Sequence, residues 1–260
     1  MQSNSAQPKI SGQNCENKDG DNVLHPTCLV SEVRACGLCS ELNNESLIKL
    51  QKITRTREYK AGEQIFCDEE PLQNYATIKN GIVKLTKILP DGRQQTIGLG
   101  FPPDFIGRAY KDTNSSFAIA LTDVTVCTFP KELFNGFLSS LPKLEHKLFE
   151  LTLNELDQAR ELMLMLGQMS ALEKVTGLLL GFSKRLHHSN QLQNIKSDIN
   201  RFELQLSRAE ISDFLGLTIE TVSRQFSLLK QKGLITIENQ RQIHILDRPE
   251  MEEIAGHSPF

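Results

Sequence analysis

A chain of 260 residues, 39% of them hydrophobic and 23% charged, is long enough for two modest domains, each with its own core. No window approaches the roughly 20 apolar residues of a membrane span. The polar start MQSNSAQPKISGQ does not resemble an export signal, so no membrane partner and a cytoplasmic location are expected. A net charge of −3 is odd for a surface covered in nucleic-acid contacts, yet residues 170–248 hold 11 Lys and Arg against 8 Asp and Glu, a local balance of +3.

Residues 1–24 are dominated by Asn, Gln, Ser, Asp and Gly, a composition that predicts disorder. Cysteines stand at 15, 28, 36, 39, 67 and 127, four of them within residues 15–39. Without an export signal, metal or redox chemistry is a better reading than a disulfide framework. A tail and cysteine-rich loop therefore occupy 1–42. A short helix is expected at about 43–53, where Leu47, Ile48 and Leu50 follow Asn43 and Asn44 as caps.

The next unit, 43–140, is strand territory. Alternating runs such as QIFCD, YATIKNGIVKLTKIL, QQTIGL, FAIALT and VTVCTFP are separated by AGE, NG, PDG and PPD. Asn80-Gly81 and Asp91-Gly92 each predict a hairpin, because type I′ turns need positive φ at both central residues. Many short strands with such turns make an antiparallel β-roll. Cys67, on one strand run, reads as a small buried residue.

From Leu141 the period becomes helical. Leu141, Leu144, Leu148, Leu151, Glu155, Ala159, Leu162, Leu166 and Met169 follow at steps of three or four, apolar except at Glu155. A stripe of that length suits a dimer interface and equally a core helix packed on the roll. The symmetric DNA reading argued next favours a dimerisation helix at 141–170.

Residues 171–250 hold a further helix at about 171–187, a polar loop and a compact helical unit. Ser207-Arg208-Ala209-Glu210 is a capping box. Gly216 suits the positive φ of a tight turn, and Thr218 caps a second helix. Val222, Phe226 and Leu229 define the buried face of that helix, leaving Glu220, Thr221, Ser223 and Arg224 on its open N-terminal part. This is the part of a helix-turn-helix that enters a major groove. There Arg can grip guanine, Glu can accept from an amino group and Ser can serve either. Gly233 ends the helix, and LITIE and QIHIL around Asn239-Gln240 predict a wing hairpin. The fold expected is α+β: an N-terminal antiparallel β-roll, a long dimerisation helix and a C-terminal winged helix-turn-helix. No P-loop, no GxGxxG after a strand and no HExxH occurs, and the six His have no catalytic spacing, so the chain is not expected to be an enzyme.

This order of parts resembles the cyclic-AMP receptor superfamily, which implies that the β-roll is of the cyclic-nucleotide-binding kind. LGLTIETVSRQFSLLKQKGLI is similar to the recognition segment of its fumarate-nitrate-reduction regulator (FNR) branch, whose Glu-x-x-Ser-Arg triad falls on Glu220, Ser223 and Arg224. The resemblance covers roughly 25–246. It implies a homodimer that binds double-stranded DNA at a TTGAT-N4-ATCAA-type palindrome and acts as an activator through RNA polymerase, with residues 89–93 as one contact. Nucleotide-binding members grip the cyclic phosphate with an Arg where this chain has Asn114-Ser115-Ser116-Phe117. Arg108 and Lys111 fall too early in the pattern, so cyclic nucleotide is not expected.

Oxygen-sensing members hold an iron–sulfur cluster, which implies a [4Fe–4S] group on Cys28, Cys36, Cys39 and Cys127. Cys127 lies in ALTDVTVCTFP, similar to the segment carrying the distant ligand. The N-terminal frame reads His25-x2-Cys28-x7-Cys36-x2-Cys39, with His25 where a family variant has cysteine. Cys15 or His25 as a ligand, zinc held by three Cys and His25, or no metal are the alternatives. Ala159 replaces an acidic residue that weakens the dimer in some relatives, which implies a tighter dimer here.

Overall fold

The computed structural model describes residues 37–256. The expected β-roll, long helix and winged helix-turn-helix are all present. Helix α1 (Asn44–Ile53) begins where Asn43 accepts the backbone N–H of Ser46 at 2.8 Å, and it buries Leu47 and Leu50. The roll follows as β1 (Arg55–Tyr59), β2 (Gln64–Phe66), β3 (Asn74–Asn80), β4 (Val83–Ile88), β5 (Gln94–Gly100), β6 (Phe105–Ile106), β7 (Phe117–Ala120) and β8 (Val124–Pro130). These strands form two antiparallel four-stranded sheets, ordered β1-β8-β3-β6 and β2-β7-β4-β5. Cys67 is buried in the roll, as its strand pattern predicted.

One of the two expected hairpins exists. Around Asp91-Gly92, β4 pairs with β5, and Leu89 and Arg93 close the turn. Asn80-Gly81 instead carries the chain from one sheet to the other, since β3 pairs with β8 and β6 while β4 pairs with β5 and β7. Gly81 is required there for two reasons. Its φ is +86°, and a Cβ would lie 2.3 Å from the carbonyl oxygen of Asp123.

Helix α2 (Lys131–Ser140) then leads into α3 (Pro142–Gln168), a helix of 27 residues. The stripe read from the sequence does not lie on its open face. Leu144 and Leu148 are buried in a core with Leu38, Leu42, Cys127, Phe129 and Phe134, while Leu162 and Met165 are buried in the core of the C-terminal unit. Only Glu155 and Ala159, mid-stripe, are exposed. A second set of apolar side chains is left in solvent: Phe149, Leu153, Leu156 and Met163, the first and last 59% and 62% exposed. Their spacing of 4, 3 and 7 is that of a heptad seam, interrupted where Arg160 stands.

Helix α4 (Ala171–Gln191) starts at a complete capping box formed by Ser170 and Glu173. Strand β9 (Arg201–Glu203) precedes α5 (Arg208–Leu215) and α6 (Ile219–Gln231). The wing strands β10 (Ile235–Glu238) and β11 (Gln242–Ile245) pair in register and join β9 in a three-stranded sheet. Helix α7 (Arg248–Ala255), which hydrophobic periodicity did not reveal, packs on α4; Arg248 donates to Ser183 and to Asn200. Among the described residues no helix is long and apolar enough to cross a membrane.

Candidate functional site

The pair α5–α6 is built by the signals that the sequence carries. The Ser207 hydroxyl accepts the backbone N–H of Glu210, and the Glu210 carboxylate accepts the backbone N–H of Ser207, at 3.2 and 2.9 Å. These two bonds satisfy donors that the start of any helix leaves without partners. Gly216 ends α5 at φ +61°, ψ +38°, the left-handed conformation that glycine adopts at least cost. Thr218 caps α6 by accepting the backbone N–H of Thr221 at 3.2 Å.

On α6, Val222, Phe226 and Leu229 are buried in the core of the C-terminal unit. That fixes the rotation of the helix and turns Glu220, Ser223 and Arg224 outward, all three exposed on the first two turns. Residues three and four apart share a helix face, so Glu220, Ser223 and Arg224 present one acceptor, one hydroxyl and one guanidinium side by side. The Glu220 carboxyl is held below its ordinary range first by its own backbone N–H, then by the Thr218 hydroxyl, with Arg224 contributing. It is therefore an acceptor at neutral pH. Thr221 is only half-buried, and its hydroxyl meets that of Thr218 at 3.0 Å, at the edge of the exposed trio.

The wing beside this face turns at Asn239 and Gln240, both with positive φ, as a two-residue hairpin of type I′ requires. A residue that the sequence reading took only as part of the capping box proves to join the two helices. The Arg208 guanidinium lies over the Phe226 ring. An Arg one position after a helix cap and 18 residues before an aromatic gives no local signal of that contact.

Of the four cysteines assigned to a metal, Cys28 and Cys36 lie outside the described residues, as do Cys15 and His25. Cys39 and Cys127 are described, and neither is in a disulfide. Cys127, on β8, is 6% exposed and belongs to the apolar core shared by α1, α2 and the start of α3; half-buried Cys39 packs against the same core. The donor chemistry is compatible with a thiolate-bound metal as far as these two residues go: the two thiols, far apart in sequence, pack at one apolar core. The segment carrying Cys39 is anchored by Leu38 and Leu42, 1% and 5% exposed, in the core that holds Leu144 and Leu148 of α3. The described residues 37–42 and the start of the long helix are thus one packed unit.

Between α3 and the roll lies a cavity of about 800 Å³. Arg108, Lys111 and Ser115 line it, but so do Asp104, Glu145 and Glu155. Although Glu155 as a residue is exposed, its carboxyl sits at the cavity wall, where partial desolvation and then the nearby Asp104 charge push it above its ordinary range.

Two family models match the chain: a cyclic nucleotide-binding domain over residues 56–140 and a Crp-like helix-turn-helix domain over residues 173–254. A "probable transcriptional activator" of Rhizobium leguminosarum bv. viciae is 41% identical over 88% of this chain and 93% of its own length. The transcriptional activator protein FnrL of Cereibacter sphaeroides is 36% identical over 90% and 93%. The solved structure of FixK2 from Bradyrhizobium japonicum superposes with a TM-score of 0.71 at 28% identity, covering 79% of this chain and 99% of that one.

Proposed function

The chain belongs to the FNR branch of the CRP/FNR superfamily of transcription regulators, and on that premise we propose that it is a dimeric, oxygen-responsive regulator that reads a TTGAT-N4-ATCAA-type palindrome. The observation that carries the DNA reading is the exposed row Glu220, Ser223, Arg224 on a helix whose opposite face is locked into the core. Arg224 is placed to donate two parallel hydrogen bonds to a guanine edge, and Glu220 to accept from a cytosine or adenine amino group. Ser223 sits between them and can serve either base.

Dimerisation is assigned to α3, with Phe149, Leu153, Leu156 and Met163 as the seam. Two such helices packed along a heptad face would set two reading heads about one helical turn apart on the duplex, the geometry that a palindrome demands. RNA polymerase is the further partner proposed for an activator of this family, with the exposed tip 89–93 as its contact.

For the signal, Cys28, Cys36, Cys39 and Cys127 are the residues proposed to hold a [4Fe–4S] cluster. When bound, such a cluster supplies an oxygen-labile link between the N-terminal segment and the roll. Leu38 and Leu42 couple the position of that segment to Leu144 and Leu148 of α3, and so to the dimer seam. Cyclic nucleotide is not proposed as the effector, because Asp104, Glu145 and Glu155 on the cavity wall would oppose a phosphate there.

The test purifies the protein without oxygen, records its visible spectrum with iron and sulfide content, and measures binding to the palindrome before and after air. Brown protein with about four irons per chain, tight binding, and loss of both in air are expected. Colourless protein that still binds the palindrome would leave the regulator and remove the cluster in favour of zinc or no metal.

A further inference from the structure

The β4–β5 hairpin of the roll grips the first helix of the reading head at both ends. At the N-terminal end, the Lys84 ammonium on β4 meets the Glu210 carboxylate at 3.1 Å, with both side chains largely buried. Glu210 is the capping-box residue, so one of its oxygens serves Ser207 while the other faces Lys84. At the C-terminal end, the Gln95 side-chain amide on β5 donates to the backbone carbonyls of Asp213 and Phe214, at 2.5 and 3.1 Å.

The last four carbonyls of a helix have no partners within it. Here the turn at Gly216 bonds back only to Ser212, and Gln95 takes up the next two. Gln94 adds a bond to the Asp213 carboxylate at 3.0 Å. Between the two ends, Ile82, Leu99 and Phe101 of the roll are buried in the same core as Ile211, Phe214 and Leu215 of α5.

We propose that Lys84 and Gln95 are positioning residues for DNA reading: they clamp α5 to the roll and thereby fix where α6 stands relative to the dimer seam. The inference rests on the DNA-reading function proposed above. The contacts are polar and directional, so they set an orientation that apolar packing alone would leave free to slide. Neither residue lies on the reading face, and the hydrogen bonds by which they reach the head go to α5. Their effect on recognition is on geometry: two reading heads held at a fixed angle match one spacing of half-sites, whereas loosely hung heads tolerate several.

The experiment compares the full-length dimer with Gln95→Glu, Gln95→Arg and Lys84→Met variants on duplexes whose two half-sites are separated by three, four or five base pairs. Hydrogen exchange across residues 208–216 is measured in parallel without DNA. Gln95→Glu places a carboxylate against two carbonyl oxygens at a helix C-terminus, where it is repelled. Gln95→Arg restores donors and adds a charge that this end of a helix favours.

Wild type and Gln95→Arg are expected to prefer one spacer by roughly tenfold. Gln95→Glu and Lys84→Met are expected to fall below a twofold preference while their affinity for a single half-site is unchanged, with faster exchange in α5. A loss of stability alone would lower the active fraction without altering spacer preference. Unchanged spacer preference in Gln95→Glu and Lys84→Met would overturn the proposal, and so would tighter palindrome binding, which would make the clamp inhibitory. If wild type binds no palindrome, the DNA reading fails on its own. Exchange then decides the clamp: faster exchange in the two variants upholds it, and unchanged exchange removes it.

Discussion

Arg208, the first residue of α5, stacks on Phe226 of α6, with its guanidinium carbon 3.3 Å from the ring centroid. The contact closes the angle between the two helices of the reading head from the solvent side of the core. Burial lowers the pKa of Arg208 from its ordinary value, yet the group remains charged at neutral pH. A planar cation over an aromatic face contributes about 0.5–2 kcal/mol.

Arg208→Ala is therefore expected to lower the melting temperature by roughly 2–6 °C. Arg208→Lys should recover less than half of that loss, because an ammonium cannot stack as a plane. Thermal unfolding followed by circular dichroism checks both. Equal stability of the Lys variant and the wild type would show that charge alone matters.

Arg224 is exposed on the same head and contributes nothing to its core. Arg224→Ala should leave the melting temperature unchanged and weaken palindrome binding about tenfold to a hundredfold. Binding to unrelated duplex should change far less, since that rests on phosphate contacts. Competition binding at fixed salt separates the two.

The two apolar faces of α3 predict opposite phenotypes. Leu144 is fully buried in its own chain, so Leu144→Ala should cost about 2–5 kcal/mol of folding stability. Leu156, 43% exposed, should tolerate Leu156→Glu as a folded protein while losing the dimer. Sedimentation velocity with a parallel melt distinguishes them. A Leu156→Glu protein that stays dimeric would place the interface elsewhere.

The reading head was legible because its signals are local. A capping box, a glycine turn, a threonine cap and three buried positions at 222, 226 and 229 specify it within about 30 residues. The open face of α3 was not, because Leu144, Leu148, Leu162 and Leu166 and the exposed Phe149, Leu156 and Met163 both recur at helical spacing. Which stripe meets the chain's own core depends on residues outside the helix: Leu38 far away in sequence, and Phe129 and Phe134 on the elements before it. Asn80-Gly81 misled for a related reason. The local turn chemistry suits a hairpin, but the approach of Asp123 to Gly81 and the pairing of β3 with β8 put the two strands in different sheets.

Helix α2 has no side-chain cap at Pro130 and carries Gly136 within it, which muted its signal. Helix α7 did carry one, in the Asp247 cap and Pro249 in the first turn. Of the four cysteines proposed as cluster ligands, only Cys39 and Cys127 fall within the described residues, and Lys84 and Gln95 carry no sequence signal because their partners are more than a hundred residues away.

Glu210 gives the protein an acid-sensitive joint. Burial acts to raise its pKa, but the Ser207 backbone N–H, the Lys84 charge and the hydrogen bonds from Lys84 and the Ser207 hydroxyl outweigh it, so the net shift is below the ordinary 4.5. A carboxyl whose folded pKa is depressed stabilises the fold above its unfolded value, and that stabilisation is lost as pH falls from about 4.5 through the lowered value. Glu210→Gln keeps a capping side chain but removes the titration. Its stability should be lower than wild type at pH 7, and the difference should shrink as pH falls below 4.5. Denaturant melts at several pH values check this; a difference that grows towards acid pH would reverse the assigned sign.

The exposed row on α6 is proposed to read one particular palindrome. Selection of bound duplexes from a random pool, with oxygen excluded, tests it most directly. Wild type should enrich TTGAT-N4-ATCAA with two-fold symmetry, and Arg224→Ala should lose the preference at one position in each half-site while the rest persists. Enrichment of an unrelated or asymmetric sequence, or an identical outcome for both proteins, would contradict the account.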